Sequence, residues 1–389
     1  MSLFLDECDR SYRDKALLNR GRFAENVTAN LLRKVFGADN VYTDVEIKKS
    51  KSQTITDIDV VALVGNKAVV AQVKSKRLTE LAKIGDETRL TADFKLAVQE
   101  AYDQALLCRP ALLDRNSKLF ASGKETHLSE SIDDAYILCI TLDHYPAVMH
   151  QVDVYLTKKA DDPFPIAISI FDLDILAFYL ADPFEFAYYL RQRTVLSNYY
   201  KADTEMSLLG LHLKQKLFKH KGATFEVVET GFAQLVDANF PVLRGSVPRT
   251  PAADKLHHEW KNSDFQMLVD QAKSTGEPRF TDVVFFLYDL AGKGADDLIN
   301  TVKLLKRNSA IDNRSHDARI LLSESRSGMT ILSEPASALV LRKKLPALAR
   351  MAKYKSKADL WLGFGCLATV IARWTQFYLA KHLGRPTPY

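Results

Sequence analysis

The chain has 389 residues, enough for two domains of ordinary size, and its 47% hydrophobic and 26% charged content buries a large core and excludes disorder as the dominant state. Its 53 Lys and Arg against 48 Asp and Glu leave +5, too small a balance to name a polyanionic partner by itself. The four cysteines (Cys8, Cys108, Cys139 and Cys366) form no CxxC pair, which argues for reduced thiols and against a disulfide framework or a thiolate zinc site.

In chain order, the opening MSLFLDECDR brings in acids before any apolar run forms, unlike a secretory signal. Residues 14–36 predict a helix with Phe23, Val27, Leu31 and Val35 on one stripe, stopped at Gly37. Residues 41–47 alternate as a strand, and a lysine-rich loop follows. Next comes DVVALVGNKAVVAQVK, two β-branched runs around Gly65-Asn66, a two-residue hairpin turn. A helix is expected over 93–107, ending near Pro110, and strands over 135–142, 152–156 and 166–170. Residues 172–193 predict a helix interrupted at Asp182-Pro183, where Asp182 can cap a new helix and Pro183 suits its first position.

The second half predicts a helix over 204–218, a strand-like region over 224–235 and a Pro-containing loop over 241–251. Residues 282–290 (DVVFFLYDL) read as a buried strand, 296–307 as a helix, 318–322 and 329–332 as strands, and 337–353 as a helix. The tail after Gly384 is expected to fray. The run 361–372 contains two glycines and falls short of the ~20 residues of a membrane span, so the expectation is a cytoplasmic protein with no membrane partner. The expected organisation is an α/β domain over 1–195 and an α+β domain over 200–389. No Walker-type phosphate loop occurs, so no ATPase is expected.

With Gly65-Asn66 as the turn, Val64 pairs with Lys67, Asp59 falls opposite Gln72, and Lys74 shares the face of Gln72. Asp57 falls opposite Lys74. The remaining positions are apolar on both faces, as in an inner pair of a covered sheet, with polar groups gathered at one end. Phosphodiester hydrolysis needs a hard cation and an activated water. Asp59 can supply a carboxylate, the Gln72 amide and the Val73 carbonyl neutral oxygens, and Lys74 a cationic group beside the phosphate. Glu25 lies at the edge of the expected buried face of the first helix, near Leu18, Ala29 and Leu32. Asp57 is the alternative to Asp59, which immediately precedes the apolar run. Gln99, Tyr102 and Gln104, on the helix after the hairpin, are candidates to contact nucleic acid or to support the site; for Gln99 and Gln104 the plainer reading is a surface residue.

Asp59 followed by Gln72-x-Lys74 on the next strand, behind a helix bearing Glu25, resembles the PD-(D/E)XK nuclease superfamily, the restriction-endonuclease-like fold. The Gln form resembles the QxK element of modification-dependent restriction endonucleases, and GRFAENVTANLLRKVFG resembles the family's first helix, whose glutamate serves the metal site. The resemblance covers about a quarter of the chain, and Ile58 stands where the motif's proline would be. It implies an αβββα core and a Mg²⁺- or Mn²⁺-dependent endonuclease. Its catalytic residues would be Glu25, Asp59, Gln72 and Lys74, with the metal held by Glu25, Asp59, Gln72 and Val73. DNA is the expected substrate; the settings implied are restriction, antiviral defence or repair, and a homodimer is a family-level expectation. The alternative is a non-catalytic nucleic-acid-binding or assembly protein that retains the fold. For the phosphate backbone the candidates are Lys76 and Arg77 beside the hairpin, and Arg342, Lys343, Lys344, Arg350 and Lys353 in an acid-free run of the C-terminal half. That half, residues 201–389, carries 28 basic against 19 acidic residues, which the mild total conceals.

Overall fold

The computed structural model describes residues 10–50, 53–126, 128, 132–145, 152–248, 264–290, 292–322, 326–369 and 374–381. Cys8 and the tail after Gly384 lie outside them. The protein is mixed α/β and divides into two compact units, Met1–His258 with Glu277–Thr281, and Glu259–Gly276 with Asp282–Tyr389. The divide thus differs from the one expected at 195–200.

In the first unit, α1 (Arg10–Phe36) buries Ala24, Thr28, Leu31, Leu32 and Val35, a stripe at helical spacing. Phe23, expected on that stripe, is 59% exposed, because the buried face is turned by one residue. Three antiparallel strands follow, β1 (Val41–Ser50), β2 (Gln53–Val64) and β3 (Lys67–Lys74). The hairpin register is the expected one, from Val64↔Lys67 to Val60↔Ala71. Gly65 turns at φ 55, and a Cβ there would stand 2.6 Å from the Pro278 carbonyl oxygen, so backbone and neighbour both demand glycine.

Next come α2 (Glu80–Lys83), α3 (Glu87–Phe94), a π-helical turn (Lys95–Gln99) and α4 (Glu100–Leu113). This helical stretch is longer than expected and runs through Pro110. Strands β4 (Lys118–Ala121) and β5 (Lys124–Thr126) extend the sheet beyond β1, while β6 (Asp134–Thr141) and β7 (Ile166–Ser169) extend it beyond β3 in parallel. The order is β5-β4-β1-β2-β3-β6-β7, so the hairpin is central. Between the sheet and the π-turn with α4, Val61, Ala68, Val70 and Ile137 share one core with Ala97, Ala101, Ala105 and Cys108. The strand expected at 152–156 is instead a helical turn, α5 (Val152–Tyr155).

Ser169 caps α6 (Ile170–Tyr179), and Asp182 caps α7 (Pro183–Val195) with Pro183 at its start, as the sequence implied. Short β8 (Tyr200–Lys201) and β9 (Glu226–Val227) flank α8 (Glu205–Gln215) and precede α9 (Gly231–Leu243). Most of the strand expected over 224–235 is therefore absent, and Pro241 is helical rather than in a loop.

The second unit holds α10 (Asp264–Lys273), most of α11 (Phe280–Asp289) and α12 (Lys293–Asp312). It also holds β10 (His316–Leu322), β11 (Ser327–Glu334), α13 (Ala338–Ser356), β12 (Leu360–Leu367) and β13 (Trp374–Lys381). The sequence reading of 282–290 as a strand is wrong: Val283 to Tyr288 are buried in succession, and an apolar run buried all round looks alike in strand and helix. The sheet order is β10-β11-β12-β13, with α13 linking the parallel pair β11–β12. No helix among the described residues is long and apolar enough to cross a membrane.

Candidate active site

The two strands of the hairpin part at the end away from the turn. Beyond Val60↔Ala71 the Asp59 carboxylate replaces the ladder: its Oδ2 accepts the Val73 N–H at 2.6 Å. Two residues further, the Asp57 main-chain carbonyl takes three donors, Gln72 Nε2 at 3.0 Å, Gln104 Nε2 at 3.2 Å and Cys108 Sγ at 3.3 Å. Burial pushes the Cys108 thiol up to about 11, so it stays protonated and able to donate. Gln72 is fully buried, and its Oε1 has no hydrogen-bond partner. An orphaned amide oxygen costs on the order of 1–3 kcal/mol, a cost that a ligand on this oxygen would relieve.

Lys74 lies on the same side, where its Nζ donates to Gln104 Oε1 at 3.0 Å. Gln104 Nε2 also donates to Asp57 Oδ1 at 3.1 Å. Gln104 is thus no plain surface residue; it joins both expected acids' strand to the lysine. Gln99 differs. It is buried, and its amide holds Thr157 through 2.8 Å and 2.9 Å bonds, a structural role. Tyr102 is buried and donates to the Pro163 carbonyl at 3.0 Å.

Glu25 is half-buried on α1 and faces the same cluster electrostatically. Burial, then Asp44 and Asp57, push its carboxyl up, against Lys74 and Arg22. Burial pushes Asp59 up to about 7; Glu25 and Asp57 add to this, while the Val73 N–H and Lys74 oppose it. The structure therefore brings Glu25, Asp57, Asp59, Gln72 and Lys74 into one neighbourhood and adds Asp44. In β1, Thr43 pairs with Val60 and Val45 with Ile58, so Asp44 falls opposite Asp59 but has no ladder partner, and its φ of 49 is left-handed. Asp44 becomes visible only once the β1–β2 register is known.

The donors suit a hard divalent cation: two desolvated carboxylates (Glu25 and Asp59), a free amide oxygen, and Val73 between the Gln and Lys of the motif. No three His, Cys, Asp or Glu side chains among the described residues converge as a metal would need, so neutral oxygens would have to complete the shell. Lys76 is committed elsewhere, 2.9 Å from Asp93; against burial, the Thr79 N–H and Lys76 hold that carboxyl below its usual range. Arg77 is half-buried.

The C-terminal basic run falls on α13. Arg342, Lys343, Lys344 and Arg350 are exposed, and Lys353 is half-buried with burial lowering its pKa against Asp359. Lys344 is drawn toward Ser315 Oγ at 2.6 Å and Glu334 at 3.6 Å, which leaves Arg342 and Lys343 as the least encumbered cations of the run among the described residues. No protein-family profile, curated protein or solved structure matches the chain.

Proposed function

We propose that the chain is a metal-dependent nuclease of the PD-(D/E)XK type that cuts DNA at the open end of the β2–β3 hairpin. The observation that carries this reading is the meeting of desolvated carboxylates with no ion pair among the described residues, an orphaned amide oxygen and a lysine at the end of an otherwise apolar hairpin. Charge kept under cover without a partner is costly, and it is typical of groups poised for a ligand or a reaction. The observed order of a helix, three antiparallel strands, a helical stretch and a strand parallel to β3 also supports the αβββα core.

Glu25 and Asp59 would hold Mg²⁺ or Mn²⁺, with Gln72 Oε1 and the Val73 carbonyl as neutral donors. The bound ion would polarise the phosphate and acidify a water. Lys74 orients the attacking water and offsets charge gathering on the phosphate oxygens. Asp57 tethers Gln104 and Gln72, and so shapes the site without needing to be a ligand. The exposed cations of α13 meet the phosphate backbone, which needs charge but no base reading.

Incubation with plasmid, single-stranded DNA and RNA in Mg²⁺ or Mn²⁺ tests the reading. Cleavage lost in both Asp59→Ala and Lys74→Ala supports it. Binding without cleavage under every condition favours the second reading, a nucleic-acid-binding protein on the same fold. That reading draws on Gln72, which removes one acid and, among the described residues, leaves no converging set of three.

A further inference from the structure

Lys74 stands among carboxylates, yet its hydrogen bond goes to a neutral group. Its Nζ donates to Gln104 Oε1 at 3.0 Å, and among the described residues it makes no ion pair. Burial and charge make this unexpected, because Lys74 is close enough to lower both Glu25 and Asp59. The Gln104 amide that receives the ammonium is itself held on its other side. Its NH₂ donates to Asp57 Oδ1 at 3.1 Å and to the Asp57 carbonyl at 3.2 Å. A flipped amide would turn its oxygen toward two acceptors and its NH₂ toward an ammonium, so the network permits one orientation. Asp57 is itself held from behind by Gln72 and Cys108.

We infer that Gln104 is the positioning residue for Lys74. It takes one of the ammonium's three N–H directions without neutralising its charge and leaves the others for water or phosphate oxygen. A carboxylate at this place would capture the lysine as an ion pair; an apolar group would release it to the nearby acids. The inference rests on the nuclease reading of the hairpin end.

Two measurements separate the inference from that reading. Steady-state DNA cleavage in Mg²⁺ is compared for wild type, Gln104→Met and Gln104→Glu; Met keeps the length and packing of Gln without its hydrogen bonds. The expected result is a kcat lower by about 10- to 100-fold in both variants, with KM within about twofold and a single cooperative unfolding transition retained, as for a misaligned rather than unfolded site. In parallel, a double-mutant cycle of Gln104→Met with Lys74→Met, read by urea unfolding, is expected to be non-additive, and this needs no activity. Wild-type cleavage with a normal kcat in Gln104→Met overturns the role of Gln104 and leaves the nuclease reading intact. An additive cycle overturns the contact itself. A wild type that cuts none of the substrates overturns the nuclease reading and this role with it, whatever the cycle gives.

Discussion

The first unit covers charge in two places, and it treats them in opposite ways. Between α7 and α8, Glu205 is 2% exposed and fully answered: Arg193 donates to both of its oxygens at 2.8 Å, and the Tyr189 hydroxyl donates to one. A bidentate guanidinium pair repays much of its desolvation. At the hairpin end, Glu25 and Asp59 are desolvated without a cation on either, Gln72 Oε1 has no donor, and the lysine at hand binds an amide. Neither burial nor the number of charges separates the two clusters. Saturation does: a structural cluster leaves nothing to add, while a site keeps valences open.

The largest expected effect is on the saturated cluster. Arg193→Met leaves Glu205 buried without its cation and should lower stability by about 3–5 kcal/mol in urea unfolding. A loss below about 1 kcal/mol would show that the pairing there carries little weight. At the open cluster, Asp59→Asn should do the reverse. It keeps an acceptor for the Val73 N–H and should fold normally, yet lower Mg²⁺-dependent cleavage by roughly 100-fold or more. Retained cleavage with an intact fold removes Asp59 from the chemistry.

A smaller effect follows from protonation. With its carboxyl raised to about 7, the folded metal-free protein holds more protons at Asp59 than the unfolded chain does between pH 4 and pH 7. The stability this group contributes is present below about pH 4 and is lost as pH rises through 7. Wild type should therefore lose on the order of 1–2 kcal/mol relative to Asp59→Asn between pH 5 and pH 8, and Mg²⁺ should restore it by binding the ionised form. Parallel pH profiles for the two proteins would contradict this. The smallest effect is expected on α13. Arg342→Ser and Lys343→Ser should each weaken DNA binding without regard to sequence and reduce the salt slope by about one. An unchanged slope would assign the basic run to solvent.

Much of the hairpin was legible because two local rules specify it. The period of two assigns faces, and a glycine turn sets the register, so the pairs from Val64↔Lys67 to Val60↔Ala71 could be read before any tertiary contact was known, though the expected Asp59–Gln72 pair gives way to the Asp59 carboxylate on the Val73 N–H. Glu25 was named from the resemblance of the first helix; the apolar face read for that helix put Leu18 and Phe23 inside, when they are 56% and 59% exposed. The apolar run 282–290 was misread because burial on every side erases the periodicity that tells strand from helix.

Asp44 lay beyond local reading, and Gln104 was legible as a candidate but not as the partner of Lys74 and Asp57. Asp44 depends on which strand β1 pairs with, and Gln104 on how α4 docks across the hairpin, both long-range facts with no local signature. The amino-acid order alone determined an apolar central hairpin with its polar groups at one end and a basic C-terminal half, since alternation, turn chemistry and charge are properties of neighbours in sequence. Only the tertiary structure decided which of those polar groups are answered and which stay open, because hydrogen-bond saturation depends on partners such as Gln104, Cys108 and Val73 that folding alone brings within reach.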